Sequence, residues 1–257
     1  MHQEYPLRTA IISDIHANLE ALKVVLGDIA DRKVDRVICL GDILGYGPNP
    51  VECVDLIADH CEWCLMGNHD FGALYEPTNF NVAAEQAAYW TRTQFEREAN
   101  AEAASRRWEF LGRLQVRVGF DNFLCVHGSP RRPINEYIFP EDAINSPVKM
   151  QQVFDRVERF CMVGHTHVPG IFTDEPDFYP PDDLEGRYKL NDQEKAIINP
   201  GSVGQPRDLD PRASYAILDG ETVEFHRLEY DIEAVVEKIY DIAELTNWLG
   251  DRLREGR

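Results

Sequence analysis

The chain has 257 residues, 44% of them apolar and 28% charged, enough for one large core or two modest ones. Acidic residues outnumber basic ones 45 to 26, and the net charge of −19 argues against long nucleic acid as the main partner, since polyanion binding draws on basic patches and counterion release. No run approaches the ~20 apolar residues a membrane helix needs, and residues 1–6 carry neither the basic nor the apolar part of a signal peptide, so a cytoplasmic protein without a membrane partner is expected.

Residues 8–13 (R-T-A-I-I-S) read as a short apolar strand leading into Asp14-Ile15-His16. Leu19, Leu22, Val25, Leu26 and Ile29 then share one face of a helix over residues 19–30, with Asn18 as its N-cap. A second strand, residues 35–40, ends at Gly41-Asp42, followed by a Pro/Gly-rich loop at 45–50. Residues 50–58 have helical spacing, and 61–66 form a third strand that stops at Gly67-Asn68-His69-Asp70. This β-loop-α-β-α-β order predicts a parallel sheet. Ligands of open α/β sheets gather at the carboxyl ends of strands, where these motifs fall.

Residues 82–114, rich in Ala, Glu, Gln and Arg with interspersed aromatics, predict one or two amphipathic helices. Residues 120–126 form a strand reaching His127, 141–157 are helical, and 160–163 form a strand reaching Gly164-His165-Thr166-His167. Seven acidic residues and three prolines mark 174–192 as an exposed loop, with a substrate lid as the alternative. Strands follow at 195–198, 213–218 and 222–228, the last two joined as a hairpin at Asp219-Gly220, and an amphipathic helix over 231–242 closes the pattern. No linker or internal repeat is visible, so residues 1–257 are expected to form one domain.

Cys39, Cys125 and Cys161 lie in apolar runs. Cys61 and Cys64 form a C-x-x-C pair without the second pair a structural zinc site would need. Reduced thiols packed as small hydrophobes are the expectation.

Five of the eight histidines fall in the strand-end motifs, together with Asp14, Asp42, Asn68 and Asp70. An ordinary core has no use for so many imidazoles and carboxylates there. A hydrolytic centre of two divalent ions about 3.5–4 Å apart needs such hard oxygen and imidazole ligands and a bridging carboxylate. Asp14 and His16 can turn toward one cation, and Asp42, alone after its strand, suits a bridge. Asn68 offers a neutral carbonyl oxygen, and His127, His165 and His167 arrive from later strands. Nitrogen and oxygen ligation without thiolate suits manganese, iron, zinc, nickel or cobalt, with manganese taken first. A bound cation pair would reverse the repulsion between an acidic surface and a small phosphorylated substrate.

The motifs D-x-H, G-D, G-N-H-[DE], a lone histidine after a strand and G-H-x-H occur in this order between residues 8 and 228. In them the chain resembles the calcineurin-like metallophosphoesterase superfamily, near its small bacterial and archaeal phosphodiesterase branch. Asn199-Pro200-Gly201-Ser202-Val203-Gly204 resembles a segment of that branch. The resemblance implies an α/β fold, a four-layer α/β/β/α sandwich of two facing mixed sheets with outer helices. It implies one ion held by Asp14, His16, Asp42 and His167, and a second by Asp42, Asn68, His127 and His165. His69 would protonate the leaving oxygen or steady phosphoryl charge, and Asp70 would orient its imidazole.

The implied activity is hydrolysis of phosphodiesters or monoesters by a metal-bridging hydroxide. Hydrolysis of dinucleoside polyphosphates or phosphoproteins, or a protein-binding scaffold on the same fold, are the alternatives. Arg207 is the first candidate for a phosphate contact and Asn68 a second, because an arginine beside a metal site can hold a phosphate oxygen bidentately. Arg131, Arg132 and Arg212 are weaker candidates. Tyr46 and Asn49 border the substrate or shape their turn, and Asn199 and Ser202 are read as turn residues. Oligomeric state is left open.

Overall fold

The computed structural model describes residues 7–257. The expectation of no signal peptide at residues 1–6 falls outside the described residues. Strand β1 (Thr9–Ile12) is followed by α1 (Leu19–Asp31), whose apolar face buries Leu22, Val25 and Ile29. Asn18 caps α1 as expected, its side chain accepting from Ala21 N at 3.1 Å. Next come β2 (Arg36–Cys39), α2 (Pro50–His60) and β3 (Trp63–Cys64). Helices α3 (Asn68–Leu74), α4 (Val82–Glu96) and α5 (Ala101–Gly112) complete the first half.

The second half opens with β4 (Arg117–Phe120), β5 (Phe123–Val126), α6 (Asp142–Asn145), α7 (Pro147–Phe154) and β6 (Phe160–Met162). Strands β7 (Gly170–Thr173), β8 (Asp177–Tyr179), β9 (Arg187–Lys189) and β10 (Ala196–Asn199) follow. The long hairpin β11 (Ala213–Asp219) and β12 (Thr222–Leu228) and helices α8 (Ile232–Tyr240) and α9 (Trp248–Glu255) come last.

The strands form two six-stranded sheets, ordered β3-β2-β1-β11-β12-β9 and β4-β5-β6-β10-β7-β8. β1, β2 and β3 pair in parallel, as do β5, β6 and β10, while the remaining neighbours run antiparallel. Alternation along each strand divides the core. Ile11, Ile38 and Leu40 face Phe123, Met162 and Ile198 of the other sheet, whereas Ala10, Ile12, Val37 and Cys39 face outward onto α1 and α2. Val126, Cys161 and Ile197 on the outer side of the second sheet pack against Met150, Val153 and Phe154 of α7. The result is the expected α/β/β/α sandwich with mixed sheets. All six cysteines are free thiols.

Four expectations need correction. The strand over 120–126 is the second arm of a hairpin, β4–β5, turning at Asp121 in the left-handed region (φ 47°). The helix over 141–157 breaks at Ser146 (φ −131°, ψ 54°), because the Pro147 ring disfavours helical backbone in the residue before it and Pro lacks the N–H to bond back.

Residues 174–192 are no simple loop: β8 pairs with β7 at the edge of one sheet and β9 with β12 at the edge of the other. Charged residues in β9 and the prolines that flank β8 suit such edges, where they discourage pairing with another chain. On the opposite side of the sandwich Gln115 bridges the sheets, donating to Cys64 O at 3.0 Å and accepting from Met66 N at 2.8 Å just before β4 begins. Finally, α9 extends the fold past the helix expected at 231–242.

Candidate metal centre

The loops leaving β1 and β2 zip together, with Asp14 N donating to Gly41 O and His16 N to Asp42 O, each at 3.0 Å. Gly164 N donates to His127 O at 2.8 Å, joining the loops after β5 and β6. Asp14, His16, Asp42, His165 and His167 all adopt left-handed backbone, with φ between 47° and 68°. Such residues cost roughly 1–3 kcal/mol each and persist where surrounding structure over-determines them, commonly at functional sites. Two glycines permit the crowding. A Cβ at Gly67 would collide with the Asp42 carboxylate, and one at Gly164 with Ser13 and Asp14.

Two groups of possible ligands result, Asp14, His16, Asp42 and His167 in one, and Asp42, His127 and His165 in the other. Asp14 Oδ1 lies 3.3 Å from His167 Nε2 and 4.0 Å from Nε2 of both His16 and His127. Asp42 belongs to both groups. Its Oδ1 accepts from His69 N at 2.8 Å, which leaves Oδ2 facing His127 Nε2 at 3.3 Å and His16 Nε2 at 3.7 Å.

The imidazoles are oriented by main-chain carbonyls. Nδ1 of His16 sits 3.0 Å from Leu44 O, Nδ1 of His127 2.9 Å from Leu40 O, and Nδ1 of His167 2.5 Å from Gln205 O. Each carbonyl takes an Nδ1 proton, so each Nε2 faces inward, as a lone pair on the neutral His16 and His167, the arrangement metal-binding histidines use. His16 and His167 then aim two acceptor nitrogens at each other across 3.1 Å, a repulsion that a cation between them would relieve.

Asp42 Oδ2, Asn68 Oδ1, His127 Nε2 and His165 Nε2 are all buried without a hydrogen-bond partner. Buried polar atoms are rarely left so. The donor set therefore fits divalent ions.

Electrostatics point the same way. Burial pulls His16 and His167 down and His165 to about 3, which keeps these rings neutral, as ligands must be. Burial would raise Asp14 and Asp42, but the imidazoles facing them hold both carboxyls below the usual range. His127 is also pulled down by burial, yet the Asp42 and Asp14 carboxylates outweigh it and push its ring up. A proton on His127 answers the same demand for positive charge that a cation would meet.

Asn68 and His69 begin α3 and border a cavity of about 310 Å³ also lined by Tyr46, Phe80, Asn135, Tyr137 and His165. His69 is buried, lowered to about 4 by that burial, and its Nδ1 has no partner. Its ring lies 4.3 Å from Tyr46 and 4.6 Å from Phe80, centroid to centroid.

Asp70 does not orient the His69 ring. Its Oδ2 accepts from Asp42 N at 2.8 Å and Gly67 N at 3.0 Å, and its Oδ1 from Leu44 N at 3.0 Å. Main-chain amides surround this buried carboxylate, and satisfying them uses both oxygens.

The other candidates separate clearly. Arg207 is half-buried near the centre, donating to Gln205 Oε1 at 2.9 Å, with its guanidinium carbon 5.9 Å from the Tyr46 ring centroid. Arg131 is tied to Glu136 and Gln152, Arg212 to Asp210, and Asn49 to Glu52 and Lys238. Arg132 is exposed. Asn199 and Ser202 shape their turn as expected, Asn199 donating to Gly164 O and Ser202 to Asp14 O.

Two neighbours escaped sequence reasoning. Tyr137 stacks on His165 at 3.7 Å, from a loop with no periodicity to betray it. Arg252 arrives on α9, beyond the last element expected.

A family model described as the calcineurin-like phosphoesterase superfamily domain matches residues 7–223. An uncharacterized protein of Methanocaldococcus jannaschii is 39% identical over 257 aligned residues, covering 96% of this chain and 98% of its own. The crystal structure of a metallophosphoesterase from Sphaerobacter thermophilus is 39% identical and superposes with a TM-score of 0.81, covering 98% of this chain and 99% of that one. A hypothetical protein from Pyrococcus horikoshii OT3 shares the fold at 18% identity, with a TM-score of 0.74 and coverage of 97% and 98%. Among the described residues no helix is long and apolar enough to cross a membrane.

Proposed function

The chain belongs to the calcineurin-like phosphoesterase superfamily, and from that membership we propose that it hydrolyses small phosphate esters, diesters or monoesters, at a centre of two divalent ions. One ion is assigned to Asp14, His16, Asp42 and His167, the other to Asp42, Asn68, His127 and His165, with manganese the first metal to test. The observation that carries this reading is Asp42 Oδ2, buried, without a hydrogen-bond partner, and facing His16 on one side and His127 on the other.

When bound, such ions supply Lewis acidity and a nucleophile at neutral pH. The chain does the rest. Carbonyls of Leu44, Leu40 and Gln205 hold the imidazoles of His16, His127 and His167 with Nε2 inward, so little reorganisation accompanies reaction. His69, fixed between Tyr46 and Phe80, offers an imidazole N–H to the ester oxygen that departs. Asn68 and Arg207 are the proposed contacts to the phosphoryl oxygens. The ligand set and His69 are complete, which disfavours a scaffold without catalysis. A cytoplasmic setting fits the free thiols.

The test is metal analysis of purified protein, combined with turnover of bis-p-nitrophenyl phosphate and p-nitrophenyl phosphate under Mn, Fe, Ni, Zn, Co or Mg. Two ions per chain with hydrolysis of either ester is the expected result. No hydrolysis with any metal would return the scaffold reading.

A further inference from the structure

Helix α9 packs through Leu249 and Leu253 into a cluster with Tyr46, Val235 and Ile239, and Gly250 lies close against Val236 and Tyr240 of α8. This docking carries Arg252 to the Tyr46 ring, 5.8 Å from guanidinium carbon to centroid, while Trp248, one turn earlier, lies under the same guanidinium at 4.5 Å. Arg207 approaches the same Tyr46 ring at 5.9 Å. Tyr46 in turn stands 4.8 Å from the His16 ring and 4.3 Å from that of His69. Two guanidinium groups are thus gathered around one tyrosine at the edge of the candidate metal centre.

Neither arginine is matched by a side-chain carboxylate among the described residues. Arg207 donates to the Gln205 amide and Arg252 to the main-chain oxygen of Arg257, while Arg207 Nε is buried without a partner. Elsewhere the acidic excess is put to use: Arg107 pairs with Asp55 and Glu98, Arg227 with Asp208, and Arg254 with Glu233. Burial first, and the charge of Arg207 second, pull Arg252 down to about 10. Two neighbouring guanidinium groups that no side-chain carboxylate meets, in so acidic a chain, are open to an anion, and guanidinium forks suit carboxylate and phosphate oxygens.

We propose that Arg252, held against Tyr46 beside the phosphoryl contact Arg207, forms an anion subsite next to the metal centre that binds a second negatively charged group, carboxylate or phosphate, of the same small ester. Arg252 is thereby a specificity-determining residue, selecting esters with a second charge over neutral ones. The proposal rests on the phosphoesterase reading for the position of the scissile phosphate, but the subsite itself needs only Arg252.

Non-hydrolysable phosphonates test it. Metal-loaded protein dialysed free of excess metal is titrated calorimetrically with n-alkylphosphonates, ω-carboxyalkylphosphonates and α,ω-bisphosphonates of matched length. The same compounds are measured as inhibitors of bis-p-nitrophenyl phosphate turnover. A second charge at one chain length is expected to tighten binding about tenfold, the scale of one charge-assisted hydrogen bond. Arg252→Gln erases that preference and leaves alkylphosphonate affinity intact, and Arg252→Lys keeps part of it. Preference for carboxylate or for bisphosphonate at that length identifies which group the subsite takes.

Wild-type protein indifferent to the second charge overturns the proposal without any variant. So does a preference that survives Arg252→Gln, or a variant that weakens all phosphonates alike. A preference that stands while no ester is hydrolysed removes the enzymatic reading and leaves the subsite.

Discussion

The Asp70 carboxylate holds the backbone of Asp42, taking its N–H at 2.8 Å while the other oxygen takes that of Leu44 at 3.0 Å. A third amide, Gly67 N, donates at 3.0 Å. Asp70 thus ties the loop after β2 to the start of α3, and it acts on the centre through Asp42. In Asp70→Asn a side-chain NH₂ must face at least one amide donor, stranding it at a cost of about 1–3 kcal/mol. Lower denaturation midpoint and lower metal content together are the expected outcome. A variant that keeps both but loses turnover would restore a direct role at His69.

Asp42→Asn removes the charge that both ligand groups share. Metal analysis after dialysis should find less than the wild-type complement, and the melting temperature should stop responding to added metal. Two ions per chain in this variant would rule out the bridge.

His69→Ala takes away the imidazole but none of the assigned ligands. Metal content should stay at the wild-type level while kcat falls by roughly 10²–10⁴, the range for loss of a positioned proton donor. Full activity would remove His69 from the reaction.

Chelation should be felt by the whole fold. Asp14 and Asp42 are fully buried and close together, so cations bound there stabilise the native state alone. Metal at a thousand times its Kd contributes about 4 kcal/mol, and a domain of this size shifts by roughly 2–4 °C per kcal/mol. Melting of EDTA-treated against reloaded protein measures the difference, and coincident curves would contradict it.

Away from the centre, Asp28 joins α1 to β11. Burial works to raise its carboxyl, but hydrogen bonds from Arg32 and Tyr215, the latter at 2.5 Å, overcome this and lower it. A depressed carboxyl contributes stability above its unfolded pKa of about 3.9, and that contribution fades as pH falls through the folded value. Asp28→Asn should therefore be less stable than wild type at pH 6, with the gap closing below pH 4. Parallel urea curves for the metal-free proteins at the two pH values check this, and a gap independent of pH would count against it.

How much of this was legible in the sequence follows from how local each feature is. The Asn18 cap, the apolar face of α1 and the imidazoles and carboxylates at strand ends depend on residues within a few positions of one another, and the structure places them at those positions. The break at Ser146-Pro147 was written in the proline, but the apolar spacing on either side masked it. Asp70 is different. A carboxylate accepts from any nearby N–H, and the approach of the β2 loop, distant in sequence, decides which. The pairing of β8 and β9 was hidden for a related reason, since short segments bordered by prolines or rich in charge become strands only where an existing sheet edge offers bonds. Arg252 reaches Tyr46 only because α9 folds back over α8, which no local pattern encodes.

The bridging of the sheets at both flanks, by Gln115 on one side and by the segment carrying β8 and β9 on the other, bears on the proposed centre. Asp14, His16, Asp42 and Asn68 follow strands of one layer, while His127, His165 and His167 follow strands of the other. The centre therefore spans a seam, and its dimensions are those of the gap between layers. Fastened along both margins, the two layers work as the jaws of a caliper, and loosening either fastener is expected to weaken cation binding at the proposed centre from a distance, with every proposed ligand still in the chain.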